Sequence, residues 1–202
     1  LREWSAKDLL AHLAFWGSHF NRQLEKMLAG QKPPIAGDYY DQVNDGVLYE
    51  HLEQPFEEAR AEEEAAYQQF RQIAAGIPPA DLLDAQKFTF LEGHALLERI
   101  LGTYTYHVVA HISDYYEKNR QLEKARTLQE TLSERLCAFP DSQANALYNL
   151  ACFYSLNGFK DEAIAKLKES FALKPELIDW SKQDSDIDPL REMAEYRELA
   201  GE

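Results

Sequence analysis

The chain is poor in cysteine, in glycine and proline, and in positive charge, and each shortage excludes something. Two cysteines in 202 residues, Cys137 and Cys152, stand at no framework spacing. No disulfide scaffold is expected from them, and they read as two reduced thiols of a cytoplasmic protein. Lysine and arginine number 21 against 35 acidic residues, a net charge of −14. A nucleic-acid backbone demands the opposite balance, and an anionic membrane surface repels this one. Neither is expected as a partner. Charge-free runs such as residues 103–112 are too short and too polar to span a bilayer. No basic segment followed by an apolar stretch opens the chain as a secretion signal would.

Alternating β-branched residues are also missing. What is there instead has the helical period nearly everywhere. With 45% hydrophobic and 12% aromatic residues, the chain can fill one core, or one domain and a smaller module. An all-α fold follows as the expectation. Ser5 reads as an N-cap with Asp8 three residues on, and Trp4 and Leu9 occupy staple positions. The helix after it carries a stripe of Leu9, His12, Leu13, Trp16, Phe20 and Leu24 and stops near Gly30. A loop, "GQKPPIAGDYYDQVNDG", is expected next. A second helix is predicted over about 48–75, with Phe56, Ala59, Tyr67, Phe70 and Ile73 inward and the run "EEARAEEEA" solvated. Pro78 and Pro79 break the chain. A third helix is predicted over about 91–119, with Leu97, Leu101, Tyr104, Val108, Ile112 and Tyr115 on one stripe, and a fourth over about 122–137.

The last third changes character. "ANALYNLACFYSLNGFKDEAIAKLKESFALKP" reads as a helix, a turn at Asn157–Gly158, and a helix stopped by Pro175. Counted from Ala144, Leu147, Leu150, Ala151, Tyr154, Gly158, Ala163, Leu167 and Pro175 fall on positions 4, 7, 8, 11, 15, 20, 24 and 32. That spacing resembles a tetratricopeptide (TPR) repeat, with small residues where helices touch and large ones where they interlock. The fourth position carries Leu where Trp is frequent. One repeat cannot bury its own face, so the closing segment, with Trp180, Leu190, Met193 and Tyr196, is expected to cap it.

The front of the chain carries a second resemblance. "WSAKDLLAHLAFW" and, about ninety residues later, "TYTYHVVAHISDYYEK" resemble the DinB/YfiT-like superfamily, most closely its ClbS/DfsB type. The matching residues are Trp4, Ser5, Lys7, Asp8 and His12, then His107 and His111. The resemblance implies an up-and-down helical bundle over residues 1–120, followed by a TPR-like domain over 121–202. Many members hold a divalent metal through three histidines; some transfer low-molecular-weight thiols, and others act in resistance to reactive small molecules. That family outline has a long helix ahead of the W-S-x-K-D motif. Here the motif opens the chain, so that helix lies upstream, or the 122–137 segment replaces it, or a homodimer covers the exposed groove.

His107 and His111, at i and i+4, share one helix face with Cβ atoms roughly 5–6 Å apart, close enough for both imidazoles to meet one ion. His12, from another apolar stripe, completes the three-His set. Zn, Ni, Cu and Fe(II) all suit such ligands. The bland alternative makes the three bundle histidines with Tyr, Asp or backbone partners. His19 lies about 10.5 Å along the helix from His12 and cannot share its ion; His94 is too far from His107, and His51 reads as a surface residue. Trp4, Trp16, Tyr104 and Tyr115 are candidate pocket walls, with core packing as the simpler role. Asp8 and Glu117 are candidate partners for an imidazole, or simply a cap and a surface acid.

Three functions are open at this level. The first is a metal-dependent thiol transferase or hydrolase acting on a small molecule. The second is a non-catalytic adaptor, taking a protein or peptide in a TPR groove lined by Asn145 and Asn149. The third is a metal-free small-molecule resistance protein of the ClbS/DfsB type.

Overall fold

Ser5 starts the first helix as its spacing predicts. In the computed structural model, which describes residues 4–33 and 40–201 (the side chains of Tyr40 and Asp41 apart), its hydroxyl accepts from the Asp8 amide. The Asp8 carboxylate accepts in return from the Ser5 amide at 2.9 Å, so two of the helix's orphan donors are satisfied reciprocally. Helix α1 then runs Ala6–Leu28, with Leu9, His12, Leu13, Phe20 and Leu24 buried and Trp16 half-buried.

Every regular element among the described residues is helical, and the fold is all-α. The chain divides into two compact units, Leu1–Tyr115 and Tyr116–Glu202.

In the first unit, α2 (Tyr40–Glu50) occupies part of the stretch read as a loop; residues 34–39 of that stretch lie outside the described residues. The predicted 48–75 helix is in fact two. Pro55 separates α2 from α3 (Phe56–Ala75) because it has no amide to donate and cannot continue a helix begun before it. Lys7 joins α2 to α1: its ammonium donates to the last carbonyls beyond α2, His51 O at 2.6 Å and Leu52 O at 2.7 Å, where a cation complements the helix dipole. On α3 the buried contacts are small, Ala59 and Ala66, while Phe56 and Tyr67 are exposed. Small residues let α3 lie close against α1, and Asn21 of α1 donates to Ala66 O at 2.8 Å.

A short helix α4 (Pro79–Leu83) and a 3-10 turn (Thr89–Leu91) precede α5 (Leu96–Leu101). The third predicted helix therefore starts five residues late, after the left-handed Glu92 and Gly93. Its buried stripe is Leu96 and Ile100, one residue earlier than expected. Leu96–Leu97 and Ile100–Leu101 are apolar pairs, so periodicity could not choose between them; packing against Phe20, Leu24, Met27, Ile77 and Phe88 does. The chain continues through a π-helical turn (Gly102–His107) into α6 (Val108–Lys118).

The second unit contains α7 (Leu122–Cys137), α8 (Pro140–Leu156) and α9 (Lys160–Leu173), each packed on the next. Helix α7 packs on α8 within the second unit. Gly158, at φ 80°, makes the α8–α9 turn in a region closed to most side chains. Ala151 and Ala163 are fully buried where the helices meet, and Leu167, Ile187, Leu190 and Tyr196 fill the core beneath α10 (Leu177–Ser181) and α11 (Ala194–Ala200). Trp180 departs from expectation: it is 59% exposed and does not cap the core, while Leu190 and Tyr196 do. Asn145 and Asn149, one turn apart on α8, are half-buried and exposed respectively.

Candidate metal centre

Three imidazoles converge in the first unit. The Nε2 atom of His12 lies 3.2 Å from that of His107 and 3.1 Å from that of His111, and the last two are 3.1 Å apart. His12 is carried by α1, His107 by the end of the π-helical turn and His111 by the next turn of α6. The π turn carries one residue more per turn than an α-helix. It lets Tyr104 point at α1 and α3 while His107, three residues on, faces His12. The Tyr104 hydroxyl donates to Asn21 Oδ1 at 2.8 Å and lies 3.1 Å from Gly17 O, and its ring stacks on Phe70.

The triangle is poorly explained by hydrogen bonding. A neutral imidazole nitrogen carries either one proton or one lone pair, so at most one of the three contacts can be a well-formed hydrogen bond. Protonation does not relieve the crowding. Burial, then the neighbouring His111 and His107, pushes His12 down to about 3; burial, then His111, pushes His107 down to about 4. Both rings are neutral at pH 7, the state a metal requires of its ligand.

The donor set fits a divalent cation. Nitrogens 3.1–3.2 Å apart that each lie 2.0–2.1 Å from one ion would subtend about 100° at it, between octahedral and tetrahedral values. Three ligands on one side leave the opposite side open. His12, His107 and His111 are the metal-capable group of the described residues, and they can hold a metal ion.

The His12 ring is held mainly by packing. His12 Nδ1 is buried without a hydrogen-bond partner. In place of an outer acceptor on His12, Trp4 lies 4.7 Å from its ring and Trp16 meets it edge-on at 6.3 Å; Trp4 also stacks on His111 at 5.8 Å. Asp8 serves the α1 cap and pairs with Lys7 at 3.5 Å.

No family model matches the chain, and neither does any curated protein or solved structure.

A cavity of about 510 Å³ opens against the three histidines. Of the four aromatic residues proposed as its walls, Trp16 lines it. Trp4 instead packs on the imidazoles, Tyr104 lines a neighbouring cavity of about 280 Å³, and Tyr115 lines neither. His19 lines the large cavity but bonds Gln23 at 2.8 Å rather than joining the triad. His94 pairs with Glu98 at 2.9 Å, and His51 bonds Val47 O at 2.7 Å.

Sequence reasoning missed Asn44, Arg99 and Thr103, which also line this cavity. Asn44 falls in the stretch whose Pro, Gly and Asp content predicts a loop. Arg99 and Thr103 precede His107 at four-residue steps, and that ladder was legible once His107 had been singled out. Glu117, the other candidate acid for an imidazole, lies on α6, half-buried and outside both cavities.

Proposed function

We propose that the first unit is a DinB-like bundle holding one divalent metal, Zn, Ni, Cu or Fe(II), on His12, His107 and His111, and that it acts on a small molecule as a thiol transferase or hydrolase. The observation that carries this reading is the triangle of Nε2 atoms at 3.1–3.2 Å, which no protonation state of three imidazoles satisfies. Such an ion, once bound, acts as a Lewis acid and lowers the pKa of a water or thiol that joins it. The chain's own residues do the rest. Burial keeps His12 and His107 unprotonated, Trp4 and Trp16 fix the rings and limit water around them, and the cavity receives the reactant on the uncovered side.

In this reading the second unit is a TPR-like module whose α8 face with half-buried Asn145 and exposed Asn149 takes a protein or peptide. Packing of α7 on α8 and α8 on α9, with Ala151 and Ala163 fully buried, supports it.

Elemental analysis of protein purified without chelator tests the metal. One ion per chain is expected. His107→Ala should weaken binding by more than the roughly 10–100-fold that loss of a residue merely orienting a ligand costs. Metal well below one per chain, unchanged by His107→Ala, would remove the proposal.

A further inference from the structure

Four side chains climb one helical face into the large cavity: Arg99, Thr103, His107 and His111, at steps of four residues. Two of them are metal-capable. The other two are hydrogen-bond donors, and among the described residues neither is committed elsewhere. Glu98, which also lines the cavity, accepts from the Ala95 amide at 3.3 Å and lies 2.9 Å from His94, and among the described residues Arg99 has no carboxylate partner. On the wall that α2 contributes, the Asn44 carbonyl oxygen accepts from the Trp16 indole N–H at 2.9 Å. That bond orients the Asn44 amide and leaves its NH₂ without a partner among the described residues. Trp16 and Phe20 supply an apolar wall between the two ends.

A cavity whose lining offers an uncommitted guanidinium, an amide NH₂ and a hydroxyl suits a hydrogen-bond acceptor carrying negative charge. This stands out in a chain of net charge −14. Arginine presents its donors in a planar fork that matches a carboxylate. Eight residues separate Arg99 from His107, an axial rise of about 10–12 Å before the side chains converge. The distance suits a small molecule with its charge at one end and its reacting atom at the other.

Resting on the metal-site reading for the reacting end alone, we propose that the substrate is a small organic carboxylate, its carboxyl group held by Arg99, with Thr103 and Asn44 as further donors along the cavity and its apolar body lying along Trp16 and Phe20. Arg99 is a specificity residue in this scheme.

Calorimetric titration of the whole chain with phenylacetate, and with its uncharged match phenylacetamide, tests the proposal. Both titrations are run on metal-free and on zinc-loaded protein. Saturable phenylacetate binding is expected in both forms, with phenylacetamide at least about tenfold weaker, the scale of one charge-assisted hydrogen bond. Arg99→Gln should erase that preference and Arg99→Lys should keep part of it; both changes are at an exposed position. Equal binding of the two probes, no saturable binding of either, or a preference that survives Arg99→Gln would overturn it. Because the preference is read in metal-free protein as well, failure to bind zinc would defeat the proposed function without deciding the question of the carboxylate.

Discussion

At the scale of single residues, His12 and His107 control how the metal-free first unit responds to acid. Their folded-state values, about 3 and about 4, lie below the ordinary histidine value of about 6.5. Above that value neither the folded nor the unfolded chain holds the protons, and stability is complete. As the pH falls from there, the unfolded chain takes up protons that the folded chain refuses, so stability is lost progressively until the folded values are reached. Urea midpoints of chelator-treated protein should therefore fall between pH 7 and pH 4.5, and a His12→Gln/His107→Gln variant should lose most of that slope. An unchanged slope would show that other groups set it. Gly17 offers a second test. A Cβ there would sit 3.1 Å from the Tyr104 hydroxyl, which bonds Asn21 and is stacked on Phe70 and so cannot easily retreat. Alanine in place of glycine gains about 1 kcal/mol of helix propensity, but overpacking costs typically 1–3 kcal/mol. Gly17→Ala should destabilise by about 1 kcal/mol in chemical denaturation, the reverse of the propensity expectation.

At the scale of elements, α1 matters most because it carries His12 and, one turn on, Trp16 and Gly17. Its start rests on the Ser5–Asp8 capping box. Ser5→Ala should cost about 1 kcal/mol and raise amide hydrogen exchange over residues 6–9, which tests the box directly. Most of α1 was readable because its cap, its stripe and its stop at Gly30 agree with one another. Helix α2 was not readable. Its sequence follows a Pro- and Gly-rich stretch, and what holds it is distant: the Lys7 ammonium on its terminal carbonyls and the Trp16–Asn44 bond. The π-helical turn was equally hidden, since an inserted backbone residue leaves no mark on a sequence that reads as helical throughout.

At the scale of the whole molecule, two compact units have separate buried clusters. Zinc is therefore expected to raise the unfolding midpoint of the first unit alone, by mass action on its folded form. Leu167→Ala, in the fully buried centre of the second, should cost about 2–5 kcal/mol and lower only the other transition. Calorimetry with and without zinc separates the two, and a single transition moved by both changes would contradict independent units. Buried Cys152, whose thiol burial and then Asp184 push upward, should react with thiol reagents only as the second unit unfolds. What the sequence determined by itself was the helical class, the ends of α1 and α7, the turn between α8 and α9, and the pairing of His107 with His111, because all of these are set by contacts within a turn or two of chain; the start of α8 at Pro140, four residues before the Ala144 expected, was not among them. Tertiary structure alone decided that His12 meets that pair, that α2 and Arg99 complete the cavity, and that Leu96 rather than Leu97 faces the core. Each of those depends on residues far apart in sequence, whose distances no local period records.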